Sequence, residues 1–341
     1  METIFEKKNV IVIGGAGFKG SHLCERLLKE AKVICVDDLS ESSPQNINHL
    51  LQYPDFEFIK HDITQPIDLE QFDELGKFKI KFQGIQEIYN FACPSSPQRF
   101  DEQKMRILYA NSAGVINSLN LAVKYNAKFV LGSSSVVYGD ATDEKEIFQE
   151  TDLGTVDQLS LRACYDEGKR FAEAAVETYR QVYKIDAKIA RVFKTFGPRM
   201  RIFEGHLIPD FILNALDGKD LIIYGDQKFS SAFCYVSDMI DGLVRLMAAD
   251  PEVKLVNLGG DKVWLLSEIA DMVIKMTGSK SKLVYDQPLV FLNRKGAPDL
   301  AYAKDALGWF PLVSLEDGLA KTIEYVVANK EAIMFGKKTK L

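Results

Sequence analysis

The fold is decided by NVIVIGGAGFKGSHL, residues 9–23. Asn9–Ile13 carries an unbroken apolar run of strand length, the pattern of a strand buried on both faces. Glycines at 14, 17 and 20 then lead into a helix expected over Ser21–Glu30. A turn of this kind lets the backbone approach a pyrophosphate, which sits at the positive end of the helix. The spacing alone also suits an ordinary strand–helix turn. Two features weigh toward a dinucleotide: the loop follows the first strand of an alternating pattern, and Asp37 stands 20 residues beyond Gly17, after a second strand at Lys32–Val36. A carboxylate there accepts hydrogen bonds from the adenosine ribose hydroxyls and repels a 2′-phosphate, so NAD is expected rather than NADP. The candidate cofactor contacts are Gly14, Gly17, Phe18, Lys19, Gly20, Asp37, Asp38 and Ser40. Asp37 and Asp38 also suit a turn opening before Ser40, and Lys19 reads as a solvated lysine at a helix start.

Further along, strand-like runs at Phe56–Ile59, Glu87–Phe91, Lys128–Leu131 and Ala187–Val192 alternate with helical spacing at Met105–Tyr125 and Tyr165–Tyr183. Strands alternating with helices imply right-handed crossovers and an α/β fold, a doubly wound parallel sheet covered on both faces. Beyond Phe196 the elements shorten. Helices are expected at Leu207–Leu216, Ser237–Met247, Ser267–Thr277 and Leu315–Asn329, with short strands at Leu221–Tyr224 and Lys282–Tyr285. This predicts a smaller α/β C-terminal domain, with the chain returning to the main sheet near Val253–Leu258. The expected division is 1–195 for the cofactor domain, with a return near 232–262, and 196–231 plus 263–335 for the substrate domain. The final KKTKL reads as a frayed tail.

Composition narrows the function classes. The chain has 341 residues, 47% hydrophobic and 26% charged, which suits a globular core and argues against disorder. Its 42 basic and 48 acidic side chains give a net charge of −6, which disfavours a nucleic-acid partner. No run approaches the roughly 18 apolar residues of a membrane span. The start shows no apolar signal core, and the five cysteines (24, 35, 93, 164 and 234) form no C-x-x-C pair. Reduced thiols and a cytoplasmic location are expected. His22, His49, His61 and His206 lack metal-ligand spacing, so no metal site is expected.

The pattern Tyr-x-x-x-Lys occurs twice. Tyr224…Lys228 spans a turn at Gly225-Asp226, where the side chains need not point together. Tyr165…Lys169 opens a helical stretch, where an i, i+4 pair stacks on one face. There an ammonium can lower the phenol pKa, and the tyrosine can remove a proton from a substrate hydroxyl as hydride leaves the same carbon. A surface tyrosine packed on a lysine stem fits the same spacing. The triplet Ser133-Ser134-Ser135 follows the strand Lys128–Leu131, where a doubly wound sheet places its ligands, and offers a hydroxyl to hold the reacting oxygen.

With these elements in order, the chain resembles the extended short-chain dehydrogenase/reductases acting on nucleotide sugars, and within them the UDP-glucuronate decarboxylases (UDP-xylose synthases). The resemblance runs nearly end to end, through NFACPSSP, RACYDEGKRFAE, FGPRM, DFILNALDGKDLIIYG, AFCYVSD and RKGAPDLAYAKDALGW. It implies a Rossmann-type domain holding NAD, a nucleotide-diphosphate sugar as substrate and a homodimer built on two long helices per subunit. It implies chemistry that begins by oxidising the sugar C4 hydroxyl to a ketone. Carried over by motif, Tyr165 is the catalytic base, Lys169 its tuner and Ser134 the hydroxyl donor. Asp62 and Ile63 flank the adenine, while Ala92, Cys93, Asn111 and Ser133 line the cofactor. Pro94, Ser95, Ser135, Lys194, Arg199, Leu207, Ile208, Tyr224, Ser231 and Arg294 are the substrate candidates.

Four departures bear on the net reaction. The decarboxylases and 4,6-dehydratases carry a glutamate two residues before the tyrosine of a SEVYGD-type segment, where SSSVVYGD has Val136. A valine cannot move a proton, so chemistry at C5 loses its usual acid–base group, and the triplet looks like that of C4 epimerases. Ser231 replaces an arginine before AFCYVSD, Lys194 an asparagine in RVFNTFGP, and Lys19 a small apolar residue. The exchange at 194 and 231 is expected to keep positive charge near the substrate pyrophosphate while reshaping the sugar pocket. Net C4 dehydrogenation or C4 epimerisation is therefore the leading expectation. Decarboxylation and a non-catalytic NAD-binding regulator are the alternatives, and the intact Tyr165/Lys169 spacing argues against the regulator.

Overall fold

The computed structural model describes residues 7–142, 144–202, 204–225, 227–287 and 296–338. Seven strands form one parallel sheet: β1 (Asn9–Ile13), β2 (Lys32–Asp37), β3 (Phe56–Lys60), β4 (Glu87–Asn90), β5 (Lys128–Ser134), β6 (Ala187–Val192) and β7 (Leu255–Leu258). Their spatial order is β7-β6-β5-β4-β1-β2-β3. The order reverses beside β1, so a crevice opens at the carboxyl ends of β1 and β4, where this architecture binds ligands.

The residues of β1 explain why both faces are covered. Val10 and Val12 join one apolar cluster with Leu23, Val33 and Leu243, while Ile11 and Ile13 join the other with Ile34, Leu119 and Val176. Side chains alternate across a strand, so a wholly apolar run requires helices on either side. One layer holds α1 (Phe18–Leu27) and α6 (Val236–Ala248); the other holds α3 (Val115–Tyr125) and α4 (Ala163–Tyr183). Preceding α3 is α2 (Phe100–Tyr109), joined to it by a π-helical turn at Ala110–Gly114. The region after β6 adds α5 (Leu207–Leu216) and α7 (Leu266–Thr277), with a short parallel ladder between Leu221–Tyr224 and Leu283–Asp286. The last helix, α8 (Leu315–Lys338), packs against α5 and α7.

Two boundaries differ from the sequence reading in ways that matter for the site. Helix α1 begins at Phe18, so Gly20 lies inside its first turn. Strand β5 runs to Ser134 because Gly132–Ser134 pair with Ala190–Val192 of β6. Ser133 and Ser134 are therefore strand residues, and only Ser135 begins the turn that follows.

Half-buried His22 on α1 ties this layer to the segment after β6, its ring nitrogen 2.9 Å from the Pro198 carbonyl oxygen. Burial, and then the Arg199 guanidinium, push its pKa from 6.5 to about 4. The unfolded chain therefore takes up this proton first. Stability is expected to fall as pH drops from about 6.5 toward 4, by up to about 3 kcal/mol from this group. Urea midpoints taken at pH 7, 5.5 and 4.5 should decline steadily, and His22→Gln should remove part of the slope. An equal slope in that variant would assign the acid sensitivity elsewhere.

Candidate active site

The glycine loop opens the crevice. Gly14 adopts φ +76°, and a Cβ there would lie 2.8 Å from the backbone of Phe91 and Ala92 on β4's exit. A Cβ at Gly20 would come within 2.1 Å of the Gly14 carbonyl oxygen, so both positions require glycine. The loop delivers the first turn of α1 to the crevice, where the amides of Phe18, Lys19 and Gly20 have no intrahelical acceptor. This close-packed turn ending in free N–H groups fits a pyrophosphate. Asp37 is buried at the end of β2. Its carboxylate accepts from the amides of Ala16 (3.0 Å) and Leu39 (2.9 Å) and from the Ser42 hydroxyl (2.6 Å). It therefore also ties the glycine loop to β2. Burial raises its pKa, and those three hydrogen bonds oppose the rise. Asp38 accepts from the Ser40 hydroxyl and pairs with Arg106 at 2.8 Å.

From here a continuous cleft of about 400 Å³ runs across the ends of β1, β4, β5 and β6 to the start of α5. Gly14, Gly17, Phe18, Lys19, Gly20, Asp37, Asp38, Ser40, Asp62, Ile63, Ala92 and Cys93 line the half that holds the glycine loop. Ser133, Ser134, Ser135, Tyr165 and Lys169 line its middle; Pro94, Ser95, Lys194, Leu207 and Ile208 line the rest.

At the centre, Tyr165 and Lys169 project from the first turns of α4. The Lys169 ammonium donates to the Gly132 carbonyl at 2.9 Å and lies 6.0 Å from the Tyr165 ring centroid. That bond anchors the lysine to β5 beside the phenol. Burial is the largest influence on the Tyr165 phenol and raises its pKa well above the usual tyrosine range; a hydrogen bond with Ser134 works against it. The lowered phenol pKa expected beside Lys169 is thus not met: desolvation of the phenolate dominates. Ser133 turns the other way and donates to Glu173 at 2.5 Å, and Glu173 in turn pairs with Arg191 on β6. Val136 lies outside the cleft, 1% exposed in an apolar cluster with Phe100, Ile107 and Tyr165.

Other candidates fall behind the walls or away from them. Asn111 is buried in the π-helical turn, where its amide donates to the Ile107 carbonyl at 2.9 Å and lies 3.2 Å from the Cys93 sulfur. It packs behind Cys93 and against Gly168 of α4. Arg199, with φ +66°, directs its guanidinium to Glu25 on α1 instead of into the cleft. Arg201 lines the cleft in its place, paired with Glu41 at 3.0 Å and Glu204 at 2.8 Å. Tyr224 lines a neighbouring cavity of about 330 Å³ with Gln98, Asp210 and Asn214. That cavity shares Gly205 and Leu207 with the main cleft. Ser231 is buried opposite Trp264 in a two-stranded ladder and does not reach the cleft wall. Arg294 lies outside the described residues.

Three basic groups in the cleft stand out. The Lys194 amine is buried with no hydrogen-bond partner among the described residues, 5.7 Å from the Phe229 ring and 5.4 Å from the Phe233 ring. Desolvation alone brings its pKa to about 8. Lys19, read from sequence as solvated, is instead hemmed in on the cleft floor. Burial, then the charge of Lys169, brings it to about 8. His206, at the N-cap of α5, was not foreseen as a site residue; burial and then Lys19 push it to about 4. Its position just before an apolar helix was the one signal available. Met200, Arg201 and Phe233 also line the cleft without any sequence signal. Among the described residues no cluster could hold a metal ion, and no helix is long and apolar enough to cross a membrane.

Comparison with known proteins agrees with this geometry. Residues 10–259 match the model of the NAD dependent epimerase/dehydratase family. UDP-glucuronic acid decarboxylase 1 of Xenopus tropicalis is 35% identical over 321 residues, covering 94% of this chain and 72% of that protein. Among solved structures, an epimerase of Methanothermobacter thermautotrophicus is 27% identical with a TM-score of 0.84, over 97% of this chain and 95% of that one. A UDP-glucuronic acid 4-epimerase of Bacillus cereus, solved with UDP-glucuronic acid and NAD, is 25% identical with a TM-score of 0.80, over 94% and 99%.

Proposed function

The chain belongs to the NAD dependent epimerase/dehydratase family, and on that premise we propose that it oxidises the C4 hydroxyl of a nucleotide-linked sugar. The observation that carries this reading is the juxtaposition of Tyr165, Ser134 and the anchored Lys169 in one cleft with the glycine loop. When bound, NAD supplies a hydride acceptor. The chain's own residues do the rest. Ser134 holds the sugar hydroxyl, the Tyr165 oxygen takes its proton, and Lys169 stabilises the phenolate that must form first. The amides of Phe18, Lys19 and Gly20 fit the cofactor pyrophosphate, and Asp37 the adenosine ribose.

Net C4 dehydrogenation or C4 epimerisation is favoured because Val136 itself carries no group that can move a proton: its side chain packs among Phe100, Ile107 and the Tyr165 ring. Decarboxylation is the second reading, favoured by the curated relative at 35% identity; a β-keto acid loses carbon dioxide without much help. We assign residues 1–195 and the return at 232–262 to cofactor binding and the remainder to the nucleotide sugar, with Tyr224 at its nucleotide end. We further propose a homodimer through α2 and α4, where Met105, Leu108, Phe171 and Tyr183 are exposed.

Product mass separates the readings. Purified protein is incubated with UDP-glucuronic acid, UDP-glucose and dTDP-glucose, and nicotinamide absorbance is followed alongside mass spectrometry. Loss of two hydrogens with reduced cofactor means dehydrogenation, and unchanged mass with a new retention time means epimerisation. Loss of carbon dioxide would establish decarboxylation. No turnover of any nucleotide sugar, with NAD bound, would sink the catalytic reading.

A further inference from the structure

Lys19 combines features that are costly in isolation. It occupies the second position of α1, where the helix dipole disfavours a cation. Its partly buried side chain lines the cleft with the ammonium 6.0 Å from the Phe18 ring centroid, and among the described residues no carboxylate or hydrogen-bond acceptor is paired with it. The titratable groups near it come from three elements: Lys169 on α4, Cys93 after β4, and His206 at the start of α5. The carboxylates that line the same cleft nearby are otherwise engaged, Asp38 with Arg106, and Glu41 and Glu204 with Arg201. A partly buried cation beside a second cation is best tolerated when an anion completes the site.

Two anions are in question under the proposed function: the cofactor's pyrophosphate, at the amides of the turn that carries Lys19, and the substrate's diphosphate. The helix start of α5, capped by His206 and presenting Leu207 and Ile208, lines the same cleft, and the proposed function puts the second there. Two dianions brought into one enclosed cleft repel each other. We propose that Lys19 is a counter-ion shared by cofactor and substrate, placed between the glycine loop and the start of α5, so that each ligand strengthens the binding of the other. This rests on the nucleotide-sugar reading. It adds a coupling between two sites, with a reciprocal thermodynamic signature.

The test measures coupling by binding alone. The dissociation constant of UDP is determined with and without saturating NAD, with dTDP, CDP and GDP as alternates, and the ratio gives the coupling factor. Lys19→Met should lower that factor about tenfold, within the usual range of such couplings, and Lys19→Arg should restore most of it. Lys194→Met should weaken the nucleotide to the same extent in both states and leave the factor alone. If Lys19→Met weakens only one ligand, or leaves the factor unchanged, the shared role is wrong while the nucleotide-sugar reading stands. If the unmodified protein binds none of the four nucleotides, that reading fails and takes the coupling with it.

A second measurement needs no variant. At pH 8 an amine that titrates near that pH gains protons as an anion arrives. Calorimetry in two buffers of different ionisation enthalpy should show proton uptake on binding NAD and on binding the nucleotide. A shared ammonium is titrated once, so uptake for the second ligand should be smaller after the first has bound. Fully additive uptake would overturn the proposal even if the variants failed to fold.

Discussion

Replacing Tyr165 with phenylalanine should lower turnover by roughly 10²–10⁴-fold, the contribution expected of a positioned general base, while NAD binding changes little. The phenol lies between the Ser134 hydroxyl and a lysine fixed to β5, and its ring packs on Val136 and Ile107. Phenylalanine preserves that ring packing, so the variant should fold and melt within a degree or two of the parent. Only the oxygen is lost, and with it the acceptor for the sugar proton. Single-turnover reduction of NAD is the readout, alongside quantitation of the cofactor released on denaturation. Retention of more than a tenth of the parent rate would remove Tyr165 from the base role. Lys169→Met should show a smaller loss, since the phenol would remain but lose its neighbouring charge.

The second large effect is expected at Lys194, and it has opposite signs for function and stability. Its amine lies against Phe229 and Phe233, which bracket Ser231 in the chain. The cation at 194 thus faces the segment where relatives of this type are expected to carry an arginine. A charge-assisted contact to phosphate contributes about 1.5–3 kcal/mol. Lys194→Met should therefore raise KM by roughly 10- to 150-fold and leave kcat within a few-fold. Without ligand the sign reverses. A lysine whose folded pKa is near 8, against 10.5 unfolded, destabilises the fold below pH 8, and that cost fades between about pH 8 and 10.5. The methionine variant should accordingly be more stable at pH 7, by up to about 3 kcal/mol, with the gain shrinking in alkaline solution. Raised KM with no gain in melting temperature would mean that the amine finds a partner inside the free protein.

The parallel doubly wound sheet and the glycine loop were legible because they follow from local patterns: NVIVI, three glycines and the alternation through Val192; the strand order is set by tertiary pairing. Tyr165 and Lys169 were legible because helical spacing places them together. What escaped depends on tertiary environment. Nothing local distinguishes Lys19 as a cleft residue from a solvated lysine; the difference is the proximity of Lys169 and His206 across the crevice. Likewise Arg199 and Arg201 are indistinguishable in FGPRMR until the left-handed backbone at Arg199 sends one to Glu25 and leaves the other on the cleft wall. The serine triplet reads as lying just beyond the strand because polar residues are poor strand formers, yet pairing with β6 keeps Ser133 and Ser134 in the ladder.

Strand β7 joins the sheet only after the chain has run through α5, the strand Leu221–Tyr224 and α6. Its hydrogen-bond partners on β6 would be stripped bare in any fragment stopping near residue 195. Neither half can then be expressed as a separate module or exchanged for that of a relative by a single splice. A change of substrate would then have to come from point changes along the cleft, at wall residues such as Lys19 and Lys194.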